Sequence, residues 1–318
     1  MESIIFPLSH EIIKNARLSD YTTFRLGGAC KGLINCETPR QLIDAVKELY
    51  AKKEKFILIG GGSNLVVADE GLDCHVIRYF SKTPYIEEGD NSLTVSGSTI
   101  LDDLAVFAAE LGYEGINTCS GIPGTVGGAV VGNAGAFGKQ IGDMVKSVSL
   151  LSSSGTLRTA QAKECGFSYR HSKLKETGDI VVDVTLSFKE GDPAELLKER
   201  EGILKTRHEK HPDLAQEPCA GSFFRNIEPT SKAGKRQATG WFLEQAGGKS
   251  LKSGGAYIFP KHANIIIKRK NGTAKDVFEL HKMMAALAKE KFNLDLIREV
   301  RFVGKIHGMP KSVKSIIW

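Results

Sequence analysis

The sequence predicts an α+β fold, and three observations carry that prediction. Apolar residues recur at helical spacing through Leu42, Ile43, Val46 and Leu49, just ahead of a short β-branched run, Phe56-Ile57-Leu58-Ile59. The stretch Ile180 to Phe188 alternates strictly from Val182, as a strand with one buried face must. After a run at Asn264–Lys268, helical spacing returns from Thr273 to about Phe292. Helices and antiparallel-looking strands follow one another irregularly, without the regular alternation of a parallel α/β sheet.

Each element has a local reason. Thr38 is a cap, Pro39 a first helical residue and Gln41 the third, the make-up of a capping box. That helix runs to Tyr50. Short strands are expected near Cys74–Arg78 and Ser92–Val95. Thr99 is placed to cap a second helix, with Leu101, Leu104, Ala105, Ala108 and Leu111 inward and Gly112 stopping it. Strands at Val145–Leu151 and Leu157–Thr159 flank the hairpin turn Ser152-Ser153-Ser154-Gly155. Asp192-Pro193-Ala194-Glu195 starts a helix to about Arg207. A helix is expected near Gly240–Ala246. Val277, Leu280, Met284 and Leu287 form the buried stripe of the long helix, whose methionines read as core. Arg298–Gly304 closes the fold as a strand. The division this suggests is a first unit over 1–190, itself split near 65–80, a second over 191–304, and a basic tail over 305–318.

Composition narrows the function. The 318 residues carry a net charge of +6, which suits a protein that handles anions. Basic residues do not interleave with aromatics, so nucleic acid is not expected as a partner. The N-terminus lacks a basic segment followed by a long apolar one, so neither a signal peptide nor a membrane span is expected. Six cysteines stand singly, with no C-x-x-C pair, which points to reduced thiols in the cytoplasm and to no metal site. His208-Glu209-Lys210-His211 is one residue short of a metalloprotease helix and reads as a solvated basic patch.

Two glycine clusters point to a phosphate-bearing cofactor. The strand at 56–59 opens into Gly60-Gly61-Gly62-Ser63-Asn64-Leu65, a nest of N–H donors suited to a pyrophosphate. Seven glycines then fall among the eighteen residues Gly121-Ile122-Pro123-Gly124-Thr125-Val126-Gly127-Gly128 to Gly138. Glycine at that density is entropically costly and belongs where backbone must approach something closely. The dinucleotide pattern G-x-G-x-x-G is absent. Gly248-Lys249-Ser250 resembles a P-loop ending, but Leu243 stands where a P-loop needs glycine, so it reads as a helix end.

These clusters, with Thr22-Thr23-Phe24-Arg25-Leu26-Gly27-Gly28 before them and Asn133-Ala134-Gly135-Ala136-Phe137-Gly138 after, occur in an order and spacing that resembles the MurB family of UDP-N-acetylenolpyruvoylglucosamine reductases. The resemblance runs from about Asn15 to about Gly304, and its closest match is the shorter class that lacks an inserted tyrosine loop. It implies a two-part FAD-binding domain of the vanillyl-alcohol-oxidase (PCMH) type and a C-terminal α+β substrate domain. It implies non-covalent FAD, NADPH as hydride donor, and reduction of UDP-N-acetylglucosamine enolpyruvate to UDP-N-acetylmuramate for the cell wall. A monomer is expected. The FAD contacts it implies are Arg25, Gly60, Gly61, Gly62, Ser63, Asn64, Gly121, Ile122, Pro123, Gly124, Thr125, Gly127, Gly128, Asn133 and Gly135.

The same resemblance implies the catalytic set. Hydride arriving at the vinyl ether drives negative charge into the neighbouring carboxylate, so a cation or acid must hold that charge and a proton donor must stand on the correct face. Arg170, after Tyr169, matches the family's Tyr-Arg pair, and a permanently charged fork suits a carboxylate. Glu299, in Glu299-Val300-Arg301-Phe302, matches the C-terminal Glu-x-Arg that polarises the same group. Ser222, in Ala220-Gly221-Ser222-Phe223-Phe224-Arg225-Asn226, matches the proton donor. Tyr169, Lys210, Asn226 and Arg301 are the implied substrate contacts. Two departures stand out. Ile227 replaces the family's proline, which predicts a less firmly held Asn226. Only nine residues separate Arg170 from Ile180, so no inserted loop covers the uridine end. The rival readings are a same-fold oxidase of a small alcohol or sugar, which has no use for Arg170, Ser222 and Glu299 together, and an idle nucleotide-sugar binder, which needs none of them.

Overall fold

The computed structural model describes residues 11–229 and 235–306. Residues 307–318, most of the expected basic tail, lie outside the described residues. Among the described residues, sheets of four, five and four strands, two further two-stranded pairings and their helices make up an α+β architecture.

The first sheet has four strands, in the order Ile12–Lys14, Cys30–Cys36, Leu72–Tyr79 and Phe56–Ile59. The helix Pro39–Ala51 connects two of them, and its capping box forms: Thr38 Oγ1 accepts from Gln41 N at 3.3 Å and Gln41 Oε1 from Thr38 N at 3.1 Å. Cys30–Cys36 and Phe56–Ile59 both run parallel to Leu72–Tyr79, and only Ile12–Lys14 pairs antiparallel, so this sheet is mixed and not antiparallel throughout as its strands look in sequence. The helical crossover is what makes a parallel arrangement possible. Leu42, Ala45, Val46 and Leu49 pack that helix on the sheet, and Leu151, Ile180 and Val182 join the same core from the second sheet.

The second sheet is antiparallel, in the order Leu157–Gln161, Val145–Leu151, Ile180–Ser187, Ser92–Ser96 and Ile86–Gly89. Val184 and Leu186 are buried while Ser187 is exposed, as the alternation requires. The alternation expected from Val182 breaks at that residue: the register shifts there, and Val182 packs in the core shared with the first sheet while Val181 joins Val184 and Leu186. The helix Leu101–Glu110 covers this sheet, but Thr99 does not cap it. The cap residue is Ile100, without a side-chain bond, and Thr99 Oγ1 instead accepts from Tyr85 N at 3.1 Å. Leu111 is 38% exposed, because the helix ends one residue before it and Gly112 turns the chain at φ +77°.

The third sheet orders Cys219–Ser222, Ile265–Lys268, Ala256–Ile258 and Lys252–Ser253, and the helix Ala274–Phe292 packs against it. Thr273 caps that helix with a capping box to Asp276. Val277, Leu280 and Met284 are buried, with Ala274 and Ala288, whereas Leu287 is half-buried. Met283, on the far face, is 40% exposed and is not core. The last strand, Arg301–Val303, does not join this sheet. It pairs in parallel with Leu65–Val67, the short strand after the first glycine loop. Phe24, Leu26, Val66 and Ala68 accordingly share one core with Phe223, Phe224 and Phe302. Among the described residues no helix is long and apolar enough to cross a membrane.

Candidate active site

The two glycine loops touch. Ser63 Oγ donates to the Pro123 carbonyl at 2.8 Å. A Cβ on Gly60 would stand 2.3 Å from Thr125 Oγ1, and one on Gly124 would stand 2.7 Å from Ser63 Oγ. Gly62 has φ +63°, and a Cβ there would meet the Tyr21 carbonyl oxygen at 2.3 Å. The bareness of these residues therefore first lets loop pack on loop, before any ligand is considered. Among the described residues, the backbone N–H groups of Gly61, Gly62, Ser63 and Asn64 have no hydrogen-bond acceptor in the protein. Four successive unpaired donors are what a pyrophosphate needs and what an apolar loop could not tolerate. The residues present thus fit the diphosphate of FAD. Thr125 caps the short helix Val126–Gly132 by accepting from Gly128 N, and Gly127 N donates to the Gly97 carbonyl at 2.9 Å. Gly121 N donates to Asp102 Oδ1 at 2.7 Å, and Arg200 grips the same carboxylate with both terminal nitrogens, at 2.6 and 2.8 Å.

The second loop leads to Arg170. Asn133 ends the helix in the left-handed region, at φ +48°, and is fully buried. Its side chain donates to the Ser168 carbonyl at 2.7 Å and accepts from Gly142 N at 3.0 Å. Ser168 and His171 exchange both backbone hydrogen bonds, which closes a tight turn with Tyr169 and Arg170 at its tip. Arg170 has φ +53°. Gly135 has a packing reason of its own, since a Cβ would lie 2.2 Å from the Lys139 carbonyl oxygen in a small hairpin.

Glu299 arrives from the far end of the chain. Asn64 brackets it: Asn64 Nδ2 donates to the Glu299 carbonyl at 3.2 Å, and Arg301 N donates to the Asn64 carbonyl at 3.0 Å. Glu299 N donates to the Phe223 carbonyl at 2.9 Å, which sets the Glu299 backbone against the segment that follows Ser222. Arg170 Nε lies 3.1 Å from Glu299 Oε1, with both side chains about one-quarter exposed. That approach makes an ion pair, but Nε–H is not aligned for a hydrogen bond and makes none.

Ser222 is half-buried at the end of its strand, after Gly221 at φ +77°, where the register against Ile265–Lys268 slips. Open space surrounds Gly221, so its conformation, not crowding, calls for glycine. Buried Asn264 clamps the segment that follows. Its Oδ1 accepts from Phe224 N at 3.0 Å, its Nδ2 donates to the Phe224 carbonyl at 2.7 Å, and its own carbonyl accepts from Phe223 N at 2.7 Å. Asn264→Ala leaves both polar groups of Phe224 orphaned in a buried place. A loss of about 1–3 kcal/mol for each unsatisfied group is expected, read as a lower denaturation midpoint.

The electrostatics are lopsided. Lys175, in the short helix Leu174–Thr177, has its pKa brought down to about 8 by burial first and then by Arg301, Arg225 and Arg170, with Glu299 opposing. Arg301 is lowered to about 10 by burial and by Arg225 and Arg298. Arg225 Nε is buried without a hydrogen bond. Lys175 thus sits among Arg301, Arg225 and Arg170 with Glu299 beside it, a predominantly positive surrounding that suits an anionic ligand.

The expected substrate residues are partly gathered here. Tyr169 OH accepts from Asn226 N at 3.3 Å, and the Arg236 guanidinium lies 3.9 Å over the Tyr169 ring. Asn226 Oδ1 accepts from Thr239 N at 3.3 Å, at the start of the helix Thr239–Gln245. Ile227, where the family has proline, exchanges two backbone bonds with Gln237, at 2.9 and 3.0 Å. Proline has no N–H for one of them, so the departure adds a restraint next to Asn226 rather than loosening it. Lys210 ends the helix Pro193–Lys210 and is exposed beside His211 and His262, whose rings are 5.7 Å apart. Burial, then Arg207 and His262, lowers His211 to about 4, so it is neutral and not part of a solvated basic patch. The Arg25 side chain lines a separate hollow of about 640 Å³ with Lys268, Arg269 and Lys270. That hollow contains none of Arg170, Ser222 and Glu299.

Sequence reasoning passed over Lys175, Arg225 and Asn264. Lys175 sits in an unremarkable polar segment, and nothing local marks it. Asn264 carried a signal: a polar side chain leading straight into three isoleucines.

Comparison with known proteins agrees with this geometry. Residues 212–303 match the model of the UDP-N-acetylenolpyruvoylglucosamine reductase C-terminal domain, and residues 30–161 match an FAD binding domain. A reductase of that name from Nostoc punctiforme is 37% identical over 317 residues, covering 96% of this chain and 91% of its own length. Another from Lactobacillus acidophilus is 34% identical over 295 residues, covering 93% and 96%. The crystal structure of the Thermus caldophilus enzyme (MurB) superposes with a TM-score of 0.75 at 31% identity, over 92% of this chain and 99% of that one. With a third or more of its residues shared over nearly its full length, and with the same tertiary structure, the chain belongs to the UDP-N-acetylenolpyruvoylglucosamine reductase family.

Proposed function

We propose that the chain is an NADPH-using UDP-N-acetylmuramate dehydrogenase, reducing UDP-N-acetylglucosamine enolpyruvate to UDP-N-acetylmuramate for peptidoglycan and so for cell shape and division. The observation that carries this reading is the Arg170–Glu299 pair, whose Glu299 backbone is bonded to the segment after Ser222 and joined through Asn64 to the loop of unpaired N–H groups. Gly60–Asn64 and Gly121–Gly128 are the loops that would hold FAD. FAD held there would supply hydride chemistry between NADPH and the enolpyruvyl double bond. The protein does the rest. Arg170 and Glu299 grip the substrate carboxylate while charge builds on it. Ser222 gives a proton to C2, so that one hydride at C3 and one proton at C2 complete the reduction. Tyr169, Asn226, Lys210 and Arg301 are proposed to orient the UDP-sugar, with the surplus positive charge matching its diphosphate.

We read the chain as one catalytic monomer of the cytoplasm, with units over 1–190 and 191–304. Six free cysteines support a reducing compartment. The test is direct. Purified protein should be yellow, and acid precipitation should release all its flavin as FAD into the supernatant. One NADPH should be consumed for each UDP-N-acetylmuramate formed. Flavin left in the pellet, or oxygen uptake with a small alcohol in place of that turnover, would sink the reading.

A further inference from the structure

We propose that Lys175 is a positioning residue for the reduction: its ammonium, docked on the Arg170 carbonyl, holds the left-handed turn that aims the Arg170 guanidinium at the substrate carboxylate. The inference rests on the proposed role of Arg170 as the group that grips that carboxylate.

The geometry is specific. Lys175 Nζ donates to the Arg170 carbonyl at 2.7 Å. Arg170 is not glycine, yet it occupies φ +53°, a region that L side chains disfavour. Two backbone bonds between Ser168 and His171 close the turn but leave the Arg170 carbonyl outside it. The lysine takes the carbonyl of the Arg170–His171 peptide, whose N–H already donates to the Ser168 carbonyl, so both polar groups of that peptide are held and with them the left-handed geometry of Arg170. A charge-assisted bond is shorter and stiffer than a neutral one, which suits the task.

The choice of an ammonium also needs a reason. Arg170 on its own turn, Arg225 beyond the strand Cys219–Ser222, and Arg301 on the C-terminal segment all repel it, and Glu299 attracts it. The His171–Glu176 pair flanks it on its own segment at 3.3 Å. A side chain serving only to fill space there would be better neutral. Keeping a cation at a half-buried, like-charged place is consistent with a bond that must be strong. Its depressed pKa of about 8 adds a readout: charge, and with it bond strength, is present below pH 8 and is lost as pH rises through that value.

The experiment uses the FAD-loaded enzyme and times its two half-reactions separately. Lys175→Met should leave flavin reduction by NADPH at the wild-type rate and slow reoxidation by the enolpyruvyl substrate about 10²-fold, a loss that roughly 1 Å of misplacement can cause. Calorimetry should show weaker binding of UDP-N-acetylmuramate, whose carboxylate sits on the same guanidinium. Lys175→Gln keeps an N–H donor and should recover part of the rate. Wild-type reoxidation should fall above about pH 8, and Lys175→Arg, charged throughout, should abolish that limb. Wild-type reoxidation in Lys175→Met, equal slowing of both half-reactions, or Lys175→Gln as slow as Lys175→Met would each overturn the proposal. If Lys175→Met does not hold FAD, the pH limb in Lys175→Arg decides: its persistence sinks the idea. Arg170→Met separates the two layers. A slow Arg170→Met with a normal Lys175→Met discards Lys175 alone. A normal Arg170→Met discards the role of Arg170 and this inference with it.

Discussion

Ser222→Ala is expected to bind FAD and to be reduced by NADPH at the wild-type rate, while its reoxidation by enolpyruvyl substrate falls by roughly 10²–10⁴, the contribution of a placed general acid. That is about 3–5 kcal/mol of barrier. The separation is expected because the hydroxyl is the only thing removed. Ser222 reaches the site through backbone: the Gly221 bend, the strand pairing with Ile265, and the Asn264 clamp on Phe224. None of these uses the Ser222 side chain. A serine is a weak acid, so its value lies in where it is held, and three rigid anchors hold it. Ser222→Cys should regain part of the rate, since a thiol can give a proton from nearly the same place. Stopped-flow absorbance at the oxidised-flavin band, with the half-reactions run apart, makes the measurement. Reoxidation of Ser222→Ala at the wild-type rate would assign the proton to another group or to water, and leave the Gly-Ser-Phe-Phe segment as a structural turn.

Arg170→Met and Glu299→Gln carry the second large effect. Each removes one preorganised partner of the developing charge, for which losses of roughly 10²–10³ in rate are typical. The loss should fall on reoxidation by substrate. Glu299→Gln is the cleaner of the two, because Asn64 binds the Glu299 backbone carbonyl and not its carboxylate. The glycine loop therefore keeps its anchor when the charge is removed. Arg170→Met leaves the Lys175 bond in place, since that too is made to backbone. Equal slowing of reduction by NADPH in either variant would mean a damaged flavin site and would remove both residues from the chemistry.

Much of this was legible in the sequence for a local reason. Thr38, Pro39 and Gln41 form their capping box within four residues, and Thr273 caps the long helix with Asp276 in the same way. The alternation from Asp183 to Phe188 needs only a strand with one buried face, whereas Ile180, Val181 and Val182 are all buried because both faces are covered there. The order of the glycine loops, Arg170, Ser222 and the Glu299-Val300-Arg301 motif identified the family before any geometry was known. Local rules failed where a tertiary partner outbid them. Thr99 gave up its capping role because Tyr85 N lay within reach of its hydroxyl.

The site itself belongs to the tertiary structure. Sequence puts Glu299 in the last unit, 129 positions after Arg170 and 235 after Asn64. The parallel pairing of Arg301–Val303 with Leu65–Val67 is what delivers it to the first glycine loop. No periodicity announces that pairing, since three residues are too few to show one and both strands are simply buried and apolar. Burial likewise decided Lys175: its neighbours in sequence are ordinary, while its neighbours in space are three arginines and a glutamate. Sequence determined which elements form and which chemistry they carry, because caps, turns and alternation act over a few residues. Only the packed fold decided which charges meet, because that depends on surfaces brought together from opposite ends of the chain.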